Sequence, residues 1–224
     1  MIVKFRGFIT LPISLTIISI IFSIACTPQH IKEESNDAKV QSYLEKAKAD
    51  DNDPLMWALF NNKIEAIELL IKSGCDINKQ SEVGNIRHLG KFGGHTILHF
   101  VATSNNKRLI KYLIDNDANL NLQDGWGLTP LNMCSREGTA EMLKILIDAG
   151  SKIEIKDKKT RTALHNACRS DNFKKVAFLI NAGAKINVKT RWGQTPLDYA
   201  LEKNSESKIV KLLKKHGATT GDSD

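Results

Sequence analysis

The sequence predicts an all-α repeat solenoid, on three observations. Four segments align at intervals of 33 residues: "TILHFVA" from Thr96, "TPLNMCS" from Thr129, "TALHNAC" from Thr162 and "TPLDYAL" from Thr195. A fixed period of roughly 20–50 residues marks a stack of supersecondary units, none of which buries its apolar face alone. The second half of each unit carries apolar columns at i, i+3 and i+4, one face of a helix: Ile67, Leu70 and Ile71; Ile110, Leu113 and Ile114; Leu143, Leu146 and Ile147; Val176, Leu179 and Ile180. Turn residues recur at fixed offsets between them. The composition, 42% hydrophobic and 25% charged, is that of an ordinary globular protein, and 224 residues suffice for one medium domain or two small ones.

The first 25 residues stand apart. Lys4 and Arg6 precede an uncharged apolar run from Phe8 to Ala25. This is the pattern of a secretory leader; a retained anchor is the alternative, since roughly 18–20 apolar residues suffice to span a bilayer. "SIAC", ending at Cys26, resembles the lipobox of bacterial lipoproteins, in which small residues precede a cysteine lipidated after cleavage, although Ser23 stands where leucine is usual. The resemblance implies a bacterial source and a lipid on Cys26. It implies a chain held at a membrane of the cell envelope, facing periplasm or exterior; ordinary secretion stays open. Residues 26–37 read as a tether. Loss of Lys4 and Arg6 lowers the formal charge from +7 to +5, a modest excess that favours an acidic partner weakly.

The repeat domain is expected over residues 38–220. Val40–Ala49 reads as an N-terminal capping helix. Five units follow at about 51–94, 95–127, 128–160, 161–193 and 194–220, each a first helix, a short turn, a longer second helix and a connector. Leu55, Leu98, Leu131, Leu164 and Leu197 share one first-helix column; Ala58, Val101, Cys134, Ala167 and Ala200 share another. Thr129-Pro130 and Thr195-Pro196 supply an N-cap hydroxyl and a residue suited to the first helical position. Gly74, Gly150 and Gly183 fall just past the second helices, where a left-handed residue is needed; Asp117 replaces that glycine in the second unit, at some strain. The first unit carries ten extra residues within Ser81–Gly94. The last unit slips by one residue, so that Val210 and Leu213 take over the apolar columns and Lys214 faces outward, as a terminal unit requires.

The 33-residue unit with "TPL", "TALH" and "GAKIN" resembles the ankyrin repeat over about Asp51–Thr220. That resemblance implies stacked helix pairs with β-hairpin fingers, and protein–protein binding through the finger tips and the inner helices. "TRT" in the fourth unit departs from it, with Thr160 where the finger glycine belongs.

Burial does not account for the finger tips. Trp126 and Trp192 share one tip position two units apart, with Phe92 one position off in the long finger. Lys158, Lys159 and Arg161 occupy the intervening tip, and Arg191 adjoins Trp192. Tryptophan and arginine are the residue types that anchor interfaces. The family resemblance adds the first-helix ends, with Arg136 and Arg169, to this surface. The expected function is therefore capture of a protein partner by a lipid-anchored monomer, the basic tips favouring an acidic one. A regulator or immunity-type inhibitor of an envelope enzyme or toxin is the alternative. Ser81–Gly94, with Arg87, His88 and Lys91, is either part of the binding face or a tolerated surface insertion.

Other chemistries find little support. "DGWGLTP" has the Gly-x-Gly of a phosphate loop, but the same corner recurs every 33 residues without a dinucleotide or P-loop context. His99, Asn132, His165 and Asp198 share one column and are expected to bond helix starts or neighbouring loops. Cys75, Cys134 and Cys168 match no zinc spacing, and stacked helices set Cys134 and Cys168 too far apart for a disulfide. No cofactor, metal, catalytic centre or nucleic-acid site is expected.

Overall fold

The computed structural model describes residues 38–50, 53–81, 93–204 and 207–222. The leader, Cys26, the tether and Phe92, with most of the Ser81–Gly94 insertion, lie outside the described residues.

The described residues form eleven helices in sequence: α1 Ala38–Ala49, α2 Pro54–Phe60, α3 Ile64–Lys72, α4 Ile97–Thr103, α5 Lys107–Asp115, α6 Pro130–Glu137, α7 Ala140–Asp148, α8 Ala163–Arg169, α9 Phe173–Asn181, α10 Pro196–Lys203 and α11 Lys208–Lys215. The first helices α2, α4, α6, α8 and α10 stack in one layer, the second helices α5, α7, α9 and α11 in another, and α1 covers α2 and α3 at the N-terminal end. None of the described helices is long and apolar enough to cross a membrane.

The apolar columns form the core. Leu55, Leu98, Leu131, Leu164 and Leu197 are all buried, as are Ile67, Ile110, Leu143 and Val176 behind them. Each such side chain contributes about 1.5–3 kcal/mol of transfer free energy. The terminal slip is as expected, with Val210 and Leu213 buried and Lys214 exposed.

Helix starts are fixed by side chains. The Asp53 carboxylate accepts from the Leu55 N–H at 3.0 Å, and the Thr129 hydroxyl accepts from Asn132 at 3.2 Å. The second helices use Asn106, Thr139, Asn172 and Ser207 in the same way, a set that sequence reasoning passed over. At the helix ends Gly74, Gly150 and Gly183 have φ of 96°, 90° and 86°, and Asp117 holds φ 62° as expected of a glycine substitute.

The fingers differ from the expected β-hairpins in one respect: among the described residues they are tight turns without assigned strands. In each, a short pair of bonds closes the turn. Asp124 N–H donates to Leu128 O at 2.9 Å and Gly127 N–H to Asp124 O at 2.8 Å; the same bonds recur at Asp157–Arg161 and at Thr190–Gln194. Successive fingers are joined by single backbone bonds, Gly125 N–H to Gly93 O at 2.8 Å and Lys158 N–H to Trp126 O at 3.0 Å, too few for a ladder. The connectors are stapled by another repeated contact. Asn78, Asn121, Glu154 and Asn187 each accept a backbone N–H from the next unit, at Asn119, Lys152, Lys185 and Thr219, over 2.7–2.9 Å.

Candidate protein-binding site

The polar column of the first helices does what its residue types allow. Thr96 N–H donates to His99 Nδ1 at 3.0 Å, and His99 Nε2 lies 3.0 Å from Leu128 O in the next finger. This pairing requires the neutral Nε2–H tautomer. His165 repeats it with Thr162 and Gln194 O. Burial pushes both imidazoles down to about 4, so both are neutral at pH 7. Asn132 donates to Ile155 O at 3.1 Å, and Asp198 accepts from Thr195 N–H at 2.7 Å and Gly221 N–H at 2.8 Å. The column is a structural staple between units.

Asp124 and Asp157 set the tips, a role not read from the sequence. One oxygen of Asp157 accepts the N–H groups of Lys159 and Arg161 at 2.8 and 2.9 Å, and one oxygen of Asp124 does the same for Trp126 and Leu128, each at 2.8 Å. Burial pushes the Asp124 carboxyl up, but the hydrogen bond from His95 and the backbone bonds from Leu128 and Trp126 outweigh it and hold it low. An aspartate two residues before a tip is the common signature, shared by "DGW" and "DKK".

Trp126 and Trp192 present 43% and 56% of their surface to solvent, so core packing does not consume them. Arg191 lies over the Trp192 ring, its Cζ 4.5 Å from the centroid, and Lys159 Nζ reaches the same ring at 5.9 Å. Both are within cation–π range. The three side chains thus share one patch.

Arg161 corrects the expectation. It is not a tip group: it is 7% exposed, on the returning arm of its finger turn, in the column of buried Leu128. Its Nε and Nη2 both reach Asp157 Oδ2, at 2.7 and 2.6 Å. The pair is internal because the aspartate that shapes the finger has a second oxygen to satisfy. Arg161 still forms part of a groove wall, with its charge balanced.

That groove, about 600 Å³, runs between the fingers and the ends of the first helices. Trp126 and Leu128 line it from one finger, Asp157, Lys158, Lys159 and Arg161 from the next, and Arg191 from the one after. Arg136 and Arg169 line it from the ends of α6 and α8. Of the residues expected at the interface, the structure therefore gathers seven in one concavity, with Trp192 beside it through Arg191 and Lys159.

Phe60 was missed. It is half exposed at the end of α2 and packs edge-to-face on Phe100 at 5.3 Å. Once the ten extra residues are allowed for, it falls in the column of Thr103, Arg136, Arg169 and Glu202, which is the signal that could have found it. Among the described residues, no group of three or more His, Cys, Asp or Glu side chains is placed to hold a metal ion.

Helix pairs at a 33-residue period, capped by Thr-Pro and linked by finger turns, define a class of stacked repeat proteins that bind through a continuous surface. Models of the ankyrin repeat match residues 50–82, and models of three ankyrin repeats match 83–157 and 149–224. The chain belongs to the ankyrin repeat family, and its repeats are a protein–protein interaction module. It is similar to inversin of Gallus gallus, 30% identical over 83 residues, which is 37% of this chain and 7% of that protein. Similarity to L-asparaginase of Dirofilaria immitis is 36% over 67 residues, 30% of this chain and 10% of that one. The matched stretch thus spans a tenth or less of these relatives.

Proposed function

We propose that this chain is a lipid-anchored ankyrin repeat protein of the bacterial cell envelope that captures a partner protein on its finger-tip and inner-helix surface. The observation that carries the reading is the exposure of Trp126 and Trp192 in one column, backed by cations, on fingers whose turns are closed by their own backbone bonds. Large rigid aromatics beside arginine supply contact area at low entropic cost. The positive charge around them suits an acidic partner and speeds encounter more than it adds affinity. The lipid would sit on Cys26, with residues 26–37 as the tether, and the chain would act as a monomer.

Living-cell crosslinking followed by mass spectrometry tests the capture. Trp126→Ala combined with Trp192→Ala should cut recovery of the crosslinked partner at least about tenfold, since two anchors each exceed about 1 kcal/mol, and leave the thermal melt unchanged. Undiminished recovery would sink the reading. Palmitate labelling tests the anchor separately: wild type should incorporate label, and Cys26→Ser should not.

A further inference from the structure

We infer that the groove receives an acidic linear peptide segment, whose carboxylates are gripped by the guanidinium groups of Arg169 and Arg191. The inference rests on the proposed interaction function and names the chemistry of the segment held.

Arginine use is the first argument. The chain has seven arginines and twenty-five lysines; four of the arginines line this groove but only two of the lysines. A diffuse positive surface would draw on the abundant lysines. A guanidinium presents a planar fork that matches a carboxylate through two parallel N–H bonds, which an ammonium cannot do.

Charge balance is the second. Asp157 neutralises Arg161 within the wall, and Glu137 holds Arg136 through Nε at 2.8 Å and Nη2 at 2.6 Å. Among the described residues no ion pair joins Lys158, Lys159, Arg169 or Arg191 to a carboxylate. Four cations on one concavity repel one another, and a ligand bearing carboxylates relieves that cost on binding.

Shape and extent are the third. About 600 Å³ lies in the range, roughly 300–1,000 Å³, of sites that enclose a compact ligand, and so suits a few residues of extended chain better than a folded face. The charge is also bounded. In the helix-end column Arg136 and Arg169 are flanked by Thr103 and Glu202; in the finger column Lys158 and Arg191 follow Gly125. A nucleic-acid strand needs a longer positive track than two units supply. Trp126, in the wall, offers an apolar surface to a residue beside the acidic run.

The test is fluorescence anisotropy with the full chain and three labelled probes: a glutamate-rich peptide, the same peptide with glutamine for glutamate, and a single-stranded oligonucleotide. The glutamate peptide should bind at least about tenfold more tightly than either of the others. Arg169→Lys combined with Arg191→Lys keeps the charge and removes the forks; it should weaken the glutamate peptide about tenfold with an unchanged thermal melt. Lys111→Gln combined with Lys211→Gln, on the second-helix layer, should leave binding as it is. Equal binding of the glutamine peptide, tighter binding of the oligonucleotide, or full affinity in the double Arg→Lys variant would each overturn the inference. Peptide binding without crosslinked partner in cells would count against the capture function alone. Partner capture through the tryptophans without peptide binding would count against the groove alone.

Discussion

At the scale of single residues, His99 and His165 show how a repeat uses a polar atom inside a core. Each ring is fully buried, yet both nitrogens have partners, one in its own helix start and one in the next finger. The arrangement works only for the neutral ring. Burial lowers the folded-state value to about 4 from the usual 6.5. The unfolded chain therefore takes up protons near 6.5 that the folded chain refuses until about 4. Stability contributed by each histidine is complete above 6.5 and is lost as pH falls through that window, by roughly 3 kcal/mol per ring. Denaturant titrations at pH 7 and pH 4.5 should show this loss, and His165→Asn, the residue its column carries at Asn132, should remove about half of it. The role of these histidines was legible in the sequence because four members of one column, His99, Asn132, His165 and Asp198, share only hydrogen-bonding capacity. The seating of Arg161 was not legible. It depends on which oxygen of Asp157 the backbone leaves over, and spacing carries no such information.

At the scale of elements, each unit is set by short-range signals that agree with one another, so helix order and boundaries could be read closely. Thr-Pro starts, glycine stops and an i, i+3, i+4 apolar face all name the same helices. The fingers were read less well. Their turns and glycines were evident, but whether adjacent fingers pair into strands depends on bonds between units, and here single bonds replace a ladder. Gly138, between α6 and α7, belongs to neither signal. Its φ of −77° asks nothing of glycine. The constraint is space: a Cβ there would lie 2.5 Å from Cys134 Sγ and 2.6 Å from the Ala102 carbonyl oxygen of the preceding unit. One of those atoms is backbone, so the stack itself would have to open. Gly138→Ala should cost about 1–3 kcal/mol by overpacking, read as a lowered denaturant midpoint. Burial pushes the Cys134 thiol up to about 12, so alkylation of Cys134 in native conditions should be slow in the wild type and faster in that variant.

At the scale of the whole molecule, the two ends are built differently from the middle. Helix α1 covers the first unit, and α11 turns Lys211, Lys214 and Lys215 outward while Ile209, Val210 and Leu213 face in. Ending the chain at residue 193 would remove α10 and α11 and uncover the apolar faces of α8 and α9. That fragment should self-associate, detected by light scattering at concentrations where the full chain scatters less. The candidate site is also a property of the whole array. Trp126, Lys158 and the pair Arg169 and Arg191 come from three successive units. Their tip positions placed Trp126, Lys158 and Arg191 on one edge in the sequence, and the family resemblance added Arg169. The concavity that gathers them depends on how finger and helix end face each other, and Phe60 was hidden by the ten-residue offset of the first unit.

The connector staples give the array a direction. In every one, the acceptor side chain (Asn78, Asn121, Glu154 or Asn187) belongs to the earlier unit and the backbone donor to the later one. The backbone bonds between fingers run the same way, from Gly125 to Gly93 and from Lys158 to Trp126. Along these two sets of bonds a chain emerging from the ribosome presents the acceptor before its donor exists, while the first-helix column runs the other way, His99 and Asn132 donating to carbonyls later in the chain. Every new unit meets a docking edge already in place, and folding can follow synthesis from the N-terminal end without waiting for the last unit.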